Sequence, residues 1–141
     1  VASAAPVPPQ RAVSVKVARQ VRRLMEDVTV GDGTGVQAAV PGYRVAGKTG
    51  TVRKPTAGGY SEDRHQSVFI GMVPAENPRL VGMVMIDEPR NKEYYGGQVA
   101  GPVFSNVMRS AVRQLQLAPD GTPLTSTPAV PAPPPTRVPR T

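Results

Sequence analysis

Apolar residues recur at helical spacing in two stretches of this chain and run almost unbroken in two others. Val17, Val21, Leu24 and Val28 share one face of a helix over residues 14–29, with Lys16, Arg19, Gln20, Arg23 and Asp27 on the other. Ser14 supplies the side-chain oxygen an N-cap needs. Gly31-Asp-Gly-Thr-Gly35 then breaks the pattern. Residues 43–53 read as a strand: period two sends Tyr43, Val45, Thr49 and Thr51 to one face and Ala46, Lys48 and Val52 to the other. The polar stretch 54–66, marked by Pro55, Gly58 and Gly59, reads as a loop. Ser67–Val73 and Leu80–Ile86 are short apolar runs that suit strands buried on both faces. The brief turn Pro74–Pro78 between them makes an antiparallel hairpin. Residues 90–97 read as a loop containing Tyr94-Tyr95-Gly96-Gly97. A second helix over residues 98–117 carries Ala100, Val103, Phe104, Val107, Met108, Ala111 and Leu115 on a wide apolar stripe, with Pro102 tolerated in its first turn.

Helix, three strands, helix is an α+β arrangement: an antiparallel sheet packed against two helices. Two apolar strands need cover on both faces, and two helices do not supply it. The sequence therefore predicts an incomplete layer that expects more protein. The ends differ in kind. Residues 1–10 contain Pro6, Pro8 and Pro9 and read as a disordered linker, because proline forbids regular helix there. Residues 118–141 hold eight prolines in 24 positions and read as a disordered Pro-rich tail. One domain is expected over residues 11–117.

Charge narrows the function classes only a little. The net charge is +7, and Arg11, Lys16, Arg19, Arg22 and Arg23 fall close together. Such a stretch is either a solvated helix face or a docking surface for nucleic acid, lipid headgroups or an acidic polymer. Aromatics make up only 4% of the chain and none interleave with these cations, so the stacking platform of a single-strand binder is missing and nucleic acid is not expected. The 141 residues contain no cysteine, which excludes disulfides and thiolate metal sites. No metal or cofactor is expected. His65, the lone histidine, reads as a solvated loop residue, Asp87-Glu88 as acidic turn residues, and Met72, Met83, Met85 and Met108 as core. Arg53 and Lys54 stand where they could meet an anionic ligand. No apolar run reaches the roughly 18 residues of a membrane span. The chain begins at Val1 without a signal pattern, so the expectation is a piece of a longer protein whose anchor lies upstream.

The richest local pattern is Arg44-Val-Ala-Gly-Lys-Thr-Gly-Thr-Val52. Gly42 to Thr49 satisfies the phosphate-loop spacing G-x-x-x-x-G-K-[ST]. A phosphate loop needs a strand before the first glycine and a helix beginning at the lysine. Here Pro41 precedes the glycine, and threonines, glycines and Pro55 follow the lysine, so helix propensity is low. Lys48-Thr49-Gly50 also spells K-T-G, one of the three motifs of penicillin-recognising serine enzymes. On an edge strand that sequence can bind a ligand lying alongside it. Main-chain groups hydrogen-bond the ligand, glycines allow close approach, two hydroxyls hold a carboxylate, and Lys48 adds positive field. A backbone N–H there can serve an oxyanion hole.

Further motifs accompany this one in order. They are Gly33-Thr34-Gly35, Val40-Pro-Gly-Tyr43, Ser67-Val-Phe-Ile-Gly71 with Pro74, Val84-Met-Ile-Asp87-Glu-Pro89, Tyr94-Tyr-Gly-Gly97 and Ala100-Gly-Pro-Val-Phe-Ser105. Over residues 11–117 the chain resembles the C-terminal part of the transpeptidase domain of class B penicillin-binding proteins, most of all the septal, FtsI-type members. The resemblance implies D,D-transpeptidation of peptidoglycan stem peptides ending in D-Ala-D-Ala, through an acyl-serine that β-lactams also form. It implies that Lys48 supports the electrostatics of that chemistry. Thr49, Gly50 and Thr51 would bind the substrate carboxylate, the Thr51 backbone N–H would stabilise the oxyanion, and Tyr94, Tyr95, Gly96 and Gly97 would wall the cleft. It also implies a parent at the periplasmic face of the inner membrane, among divisome membrane proteins. Neither S-x-x-K nor S-x-N occurs in the chain, so the nucleophile and its base are missing. The chain by itself is expected to be inactive. The other readings, a nucleotide-binding loop or a basic binding module without chemistry, rest on the spacing and charge above.

Overall fold

The computed structural model describes residues 10–90 and 93–121. Helix α1 spans Val15–Glu26, strands β1, β2 and β3 span Ala46–Thr56, Gly59–Val73 and Leu80–Asp87, and helix α2 spans Gly96–Gln114. The strands form one antiparallel sheet in the order β1-β2-β3. The α+β class and the β2–β3 hairpin expected from the apolar runs are both present. The expected linker at residues 1–9 and the tail beyond 121 lie outside the described residues.

Ser14 caps α1, its hydroxyl accepting from the Val17 amide at 3.2 Å. The helix is shorter than the apolar spacing suggested. It gives way at Asp27–Thr29 to a 3-10 turn, where the buried Thr29 hydroxyl donates to the Val45 carbonyl at 2.9 Å. A second short 3-10 turn, Val36–Ala38, follows the glycine-rich break.

The stretch 54–66 is not a loop. β1 runs on to Thr56, turns through Ala57-Gly58 and returns as β2 from Gly59, with a register irregularity at Pro55. β3 pairs with β2 only from Gln66 onward, so the outer part of this ribbon has two strands. Its side chains meet solvent on both sides, except His65. Without a buried face there is no apolar alternation to read, and proline is tolerated at a bulge.

Cross-strand pairing sorts the sheet into two faces. Ser67, Phe69, Gly71 and Val73 of β2 are buried beneath α2. Phe69 and Phe104 meet there with ring centroids 4.8 Å apart, and Ala38, Val40, Val45, Val73, Ala100, Met108 and Val112 complete the core. The paired glycines Gly71 and Gly82 leave the space that the Phe104 ring and the Met108 side chain fill. The other face carries Ile70, Val81, Met83 and Met85, all exposed. β3 is thus buried on one side only, and Met83 and Met85 are surface rather than core. Val17, Val21 and Leu24 of α1 are exposed as well, as an incomplete layer requires.

Helix α2 starts two residues earlier than its stripe indicated. Pro102 therefore falls in the second turn, inside the helix rather than in its first turn. Burial follows a narrower line through Ala100, Phe104, Met108 and Val112, and Val103, Val107 and Leu115 stay exposed. Packed chain continues past Leu117 into the stretch expected to be tail. Asp120 accepts from the Arg44 amide at 2.8 Å and the Glu76 amide at 3.0 Å, and the Gly121 amide donates to the Gly42 carbonyl at 3.1 Å.

Candidate functional site

Among the described residues β1 is one edge of the sheet, as the ligand-alongside reading of Lys48-Thr49-Gly50-Thr51 requires. Pairing places Lys48 opposite Ile70 and Thr49 opposite Phe69. The two side chains therefore leave the strand on opposite faces. On the Thr49 side, the Gly33–Gly35 turn and the N-terminus of α2 close in on the strand. Between them lies an open cleft of about 390 Å³ that Thr34, Thr49, Thr51, Tyr95, Gly96 and Gly97 help line.

The approach of α2 depends on its first two residues. A Cβ on Gly96 would collide with the carbonyl oxygens of Gly50 and Val68, and one on Gly97 with the Thr34 carbonyl. Only glycine at both positions lets the helix end sit directly on the strand. The Gly96 amide then donates to the Thr51 hydroxyl at 3.1 Å. That bond uses a Thr51 acceptor lone pair and leaves its hydrogen free to donate. The first turn of α2 carries no acidic residue, so the positive end of its dipole faces the cleft with no carboxylate in that turn. Thr34 and Thr49 share a hydrogen bond at 3.0 Å between their hydroxyl oxygens. One of the two hydrogens is engaged, and the other can point at a ligand. Three hydroxyls and a helix N-terminus converge on one volume, a donor array suited to a carboxylate.

Lys48 is exposed, and its ammonium reaches over the strand edge to donate to the Thr49 carbonyl at 2.7 Å. It stands beside the cleft, not in its lining. Gly50 pairs with Val68 and offers its carbonyl beneath Gly96.

Tyr94 and Tyr95 are the last residues before the helix, while Gly96 and Gly97 belong to it rather than to a loop. Tyr95 is half exposed at the cleft and packs against Tyr94, centroids 4.7 Å apart. The neighbouring Tyr94 hydroxyl, by hydrogen bonding first and charge second, pushes the Tyr95 phenol above its ordinary pKa. Behind them His65 stacks on Tyr94 at 4.3 Å, and the Ser67 hydroxyl donates to the Tyr94 carbonyl. His65 is 8% exposed, so the solvated-loop reading of it was wrong: the ribbon residue faces inward and the tyrosine covers it.

Arg53 and Lys54 part company. Arg53 is exposed on the ribbon, whereas Lys54 is tied to Asp87 at 2.9 Å and Glu88 at 2.7 Å. With Gln37 and Gln98, which also line the cleft, Thr34 is a residue that the K-T-G strand alone does not indicate. Its signal was Gly33-Thr34-Gly35, noticed as a motif but given no chemistry.

The phosphate-loop geometry is absent. Gly42 to Thr49 runs from a turn at Gly42, with φ +83°, into the middle of β1, and no helix begins at Lys48. Serine and lysine do not occur in the spacing of an acylation nucleophile and base. The cleft can hold an anion and present backbone donors. It contains no paired nucleophile among the described residues.

Curated relatives resemble this chain in sequence, and solved structures resemble it in fold. A probable peptidoglycan D,D-transpeptidase PenA of Neisseria flavescens is 45% identical over 124 residues, 88% of this chain and 31% of that protein. The peptidoglycan D,D-transpeptidase FtsI of Escherichia coli is 38% identical over 115 residues, 82% of this chain and 20% of that protein. The transpeptidase domain of penicillin-binding protein 3 from Burkholderia pseudomallei superposes with a TM-score of 0.69 at 44% identity, covering 76% of this chain and 32% of that one. Penicillin-binding protein 3 from Mycobacterium tuberculosis, solved with ampicillin, gives 0.68 at 35% identity, covering 79% and 27%. The chain thus spans a third or less of each of these proteins. The profile of the penicillin binding protein transpeptidase domain matches residues 3–109, and the chain belongs to that family.

Proposed function

We propose that this chain is the K-T-G-bearing part of a peptidoglycan D,D-transpeptidase, one that cross-links stem peptides through an acyl-serine and is acylated by β-lactams at the same serine. The observation that carries the reading is the convergence of the Thr34, Thr49 and Thr51 hydroxyls with the α2 N-terminus beside an edge strand. A stem peptide ends in a carboxylate, and a β-lactam carries one next to its reactive carbonyl. Thr49 and Thr51 donate to that carboxylate, and Gly50 lets the ligand backbone lie close to β1. The Thr51 amide polarises the acyl oxygen, Lys48 supplies positive field from the strand edge, and Tyr94-Tyr95 with Gly96-Gly97 form the far wall. The serine nucleophile and its lysine base come from outside this sequence, so catalysis belongs to the longer protein. The resemblance to FtsI-type enzymes supports reading that protein as one that works at the division septum, at the periplasmic face of the inner membrane and beside divisome membrane proteins. No helix of the described residues is long and apolar enough to cross a membrane.

The test is covalent labelling. Full-length protein containing this chain is incubated with a fluorescent penicillin and denatured before electrophoresis. A stable band that D-Ala-D-Ala-ended peptide slows is the expected result. An unlabelled, folded full-length protein would overturn the reading.

A further inference from the structure

Three separate elements meet just before the K-T-G strand, and one carboxylate joins two of them to the end of the fold. Asp120 sits in the segment after α2. Its Oδ1 accepts from the Arg44 amide at 2.8 Å and its Oδ2 from the Glu76 amide at 3.0 Å. Arg44 is two residues before β1, and Glu76 lies in the β2–β3 turn. The same segment is fastened twice more to the same place. The Tyr43 hydroxyl donates to the Leu117 carbonyl at 2.6 Å, and the Gly121 amide donates to the Gly42 carbonyl at 3.1 Å. From the other side, the Arg44 carbonyl accepts from the Ala75 amide at 2.8 Å. The Arg44 guanidinium forks onto Glu26 at the end of α1, at 2.8 and 3.0 Å, and reaches Glu76 at 2.9 Å. Both backbone polar groups of Arg44 are thus satisfied by other elements, and neither bond belongs to the sheet ladder.

We infer that the segment Leu117–Gly121 is a strap that sets the position of β1 along its own axis, with Asp120 as its positioning residue for the acyl-transfer cleft. The inference rests on the function proposed above. A strand edge can slide, and a slip by one residue would send Thr49 and Thr51 to the wrong face. The ladder with β2 fixes register from Ala46 onward. What it does not fix is the sub-ångström placement of the first residues, which is where the strap acts. Lys48 follows Arg44 by four residues, the ladder begins two residues after Arg44, and a rigid ladder transmits a shift at its start to the Thr51 amide. Small misplacements of donors aimed at a transition state carry large rate penalties. A carboxylate is well suited to the task because it takes two amides from two elements at once. An amide side chain offers one oxygen and replaces the other with a donor facing a donor.

The experiment uses the full-length protein. Asp120→Ala and Asp120→Asn are compared with wild type for the non-covalent affinity and the limiting acylation rate of a reporter β-lactam. Active-site titration corrects for any unfolded fraction. Per folded molecule, Asp120→Ala is expected to lower the limiting acylation rate by about tenfold, with affinity changed less. Asp120→Asn, which keeps one acceptor, should fall between the two. Amide hydrogen exchange at Arg44 and Glu76 should quicken in the same order. A limiting rate equal to wild type in folded Asp120→Ala overturns the strap, as does a loss that vanishes after correction for the unfolded fraction. If Asp120→Ala does not fold, Asp120→Asn decides by the same two readings. Wild-type protein that fails to label at all would instead overturn the functional reading, so the two failures are distinguishable.

Discussion

The amide of Gly96 donates to the hydroxyl of Thr51 across 3.1 Å, joining the first residue of α2 to the K-T-G strand. One threonine thereby serves both the fold and the cleft: its oxygen accepts from the helix, and its hydrogen remains for a ligand. Thr51→Val removes the oxygen with little change of shape. It leaves the Gly96 amide without that partner and the ligand carboxylate without one donor. The stability cost is expected to be about 1–3 kcal/mol, the range for an orphaned donor. Affinity for a carboxylate-bearing β-lactam should fall about tenfold, since hydrogen bonds to a charged partner contribute about 1.5–3 kcal/mol. Binding of the corresponding methyl ester should change much less. Equal losses for acid and ester would show that Thr51 does not read the carboxylate.

The close seating of α2 predicts a strong effect from one methyl group. Gly96→Ala places a Cβ against the backbone oxygens of Gly50 and Val68, which cannot rotate away. The helix end must lift from the strand, carrying Tyr95 and the Thr51 bond with it. Overpacking of this kind costs about 1–3 kcal/mol. Thermal denaturation of the full-length protein should show a lower midpoint, and penicillin labelling should slow by more than the loss of folded protein explains. A variant with unchanged midpoint and labelling would mean that the helix end is not held as closely as the Gly96 position indicates.

How legible these features were in the sequence depends on whether a buried face was involved. The Ser67–Val73 and Leu80–Ile86 runs and the phase of Ala100, Phe104 and Met108 follow from burial, whereas the exposed Ser14 was legible from its capping chemistry. The ribbon from Arg53 to His65 has solvent on both faces, and its polar residues hide a strand. Val103, Val107, Met83 and Met85 look like core because they are apolar. They are exposed because nothing among the described residues covers them. The cleft was half legible: Thr49 and Thr51 were read from strand parity and motif, whereas Thr34 and Asp120 act through tertiary contacts that no local spacing encodes. His65 failed for the same reason, since its burial depends on Tyr94, 29 positions away by their numbering.

At the base of the ribbon, where β3 ends, Lys54, Arg64, Asp87 and Glu88 form an ion cluster with a definite pH signature. Glu88 lies 2.7 Å from Lys54 and also accepts from the Arg64 guanidinium, with its backbone in the left-handed region at φ +49°. Hydrogen bonds from Lys54 come first among the causes that hold both carboxyls below their ordinary pKa. Glu88, followed by Asp87, raises that of Lys54. A carboxyl lowered by folding contributes stability that is present above its ordinary pKa, near pH 4, and is lost as pH falls through the lower folded value. The raised lysine contributes below its ordinary value, about 10.4, and loses that contribution as pH rises through the higher folded one. Between those limits the contribution is flat. Acidification from pH 7 to 3 should therefore lower the melting midpoint of wild type more than that of Lys54→Met. The gap should shrink in high salt, because these groups are exposed to screening. Parallel melting curves across that range would show that the cluster does not stabilise the fold.

Lys48 offers the sharpest separation of chemistry from folding. Its side chain is exposed and bonds only to the carbonyl of its neighbour Thr49. Truncation at such a surface position changes stability by about 0.5 kcal/mol or less. Its ammonium nevertheless stands at the strand edge beside the proposed ligand path, where, under the function proposed above, its charge would act on developing negative charge or on the proton state of the incoming serine-lysine pair. Fixed charge of this kind is worth about 10²–10³ in rate. Lys48→Ala in the full-length protein should keep the wild-type melting midpoint while β-lactam acylation slows by about a hundredfold. Lys48→Arg retains the charge but carries a larger, planar head, and should recover only part of the rate. Measuring the limiting acylation rate across pH distinguishes the two ways Lys48 could act. A uniform loss at all pH values assigns it to stabilising the transition-state charge. A shifted pH profile assigns it to setting the protonation of the nucleophile's partner. Wild-type acylation in Lys48→Ala would remove this residue from the site and leave Thr34, Thr49 and Thr51 as a carboxylate-binding pocket without its own cation.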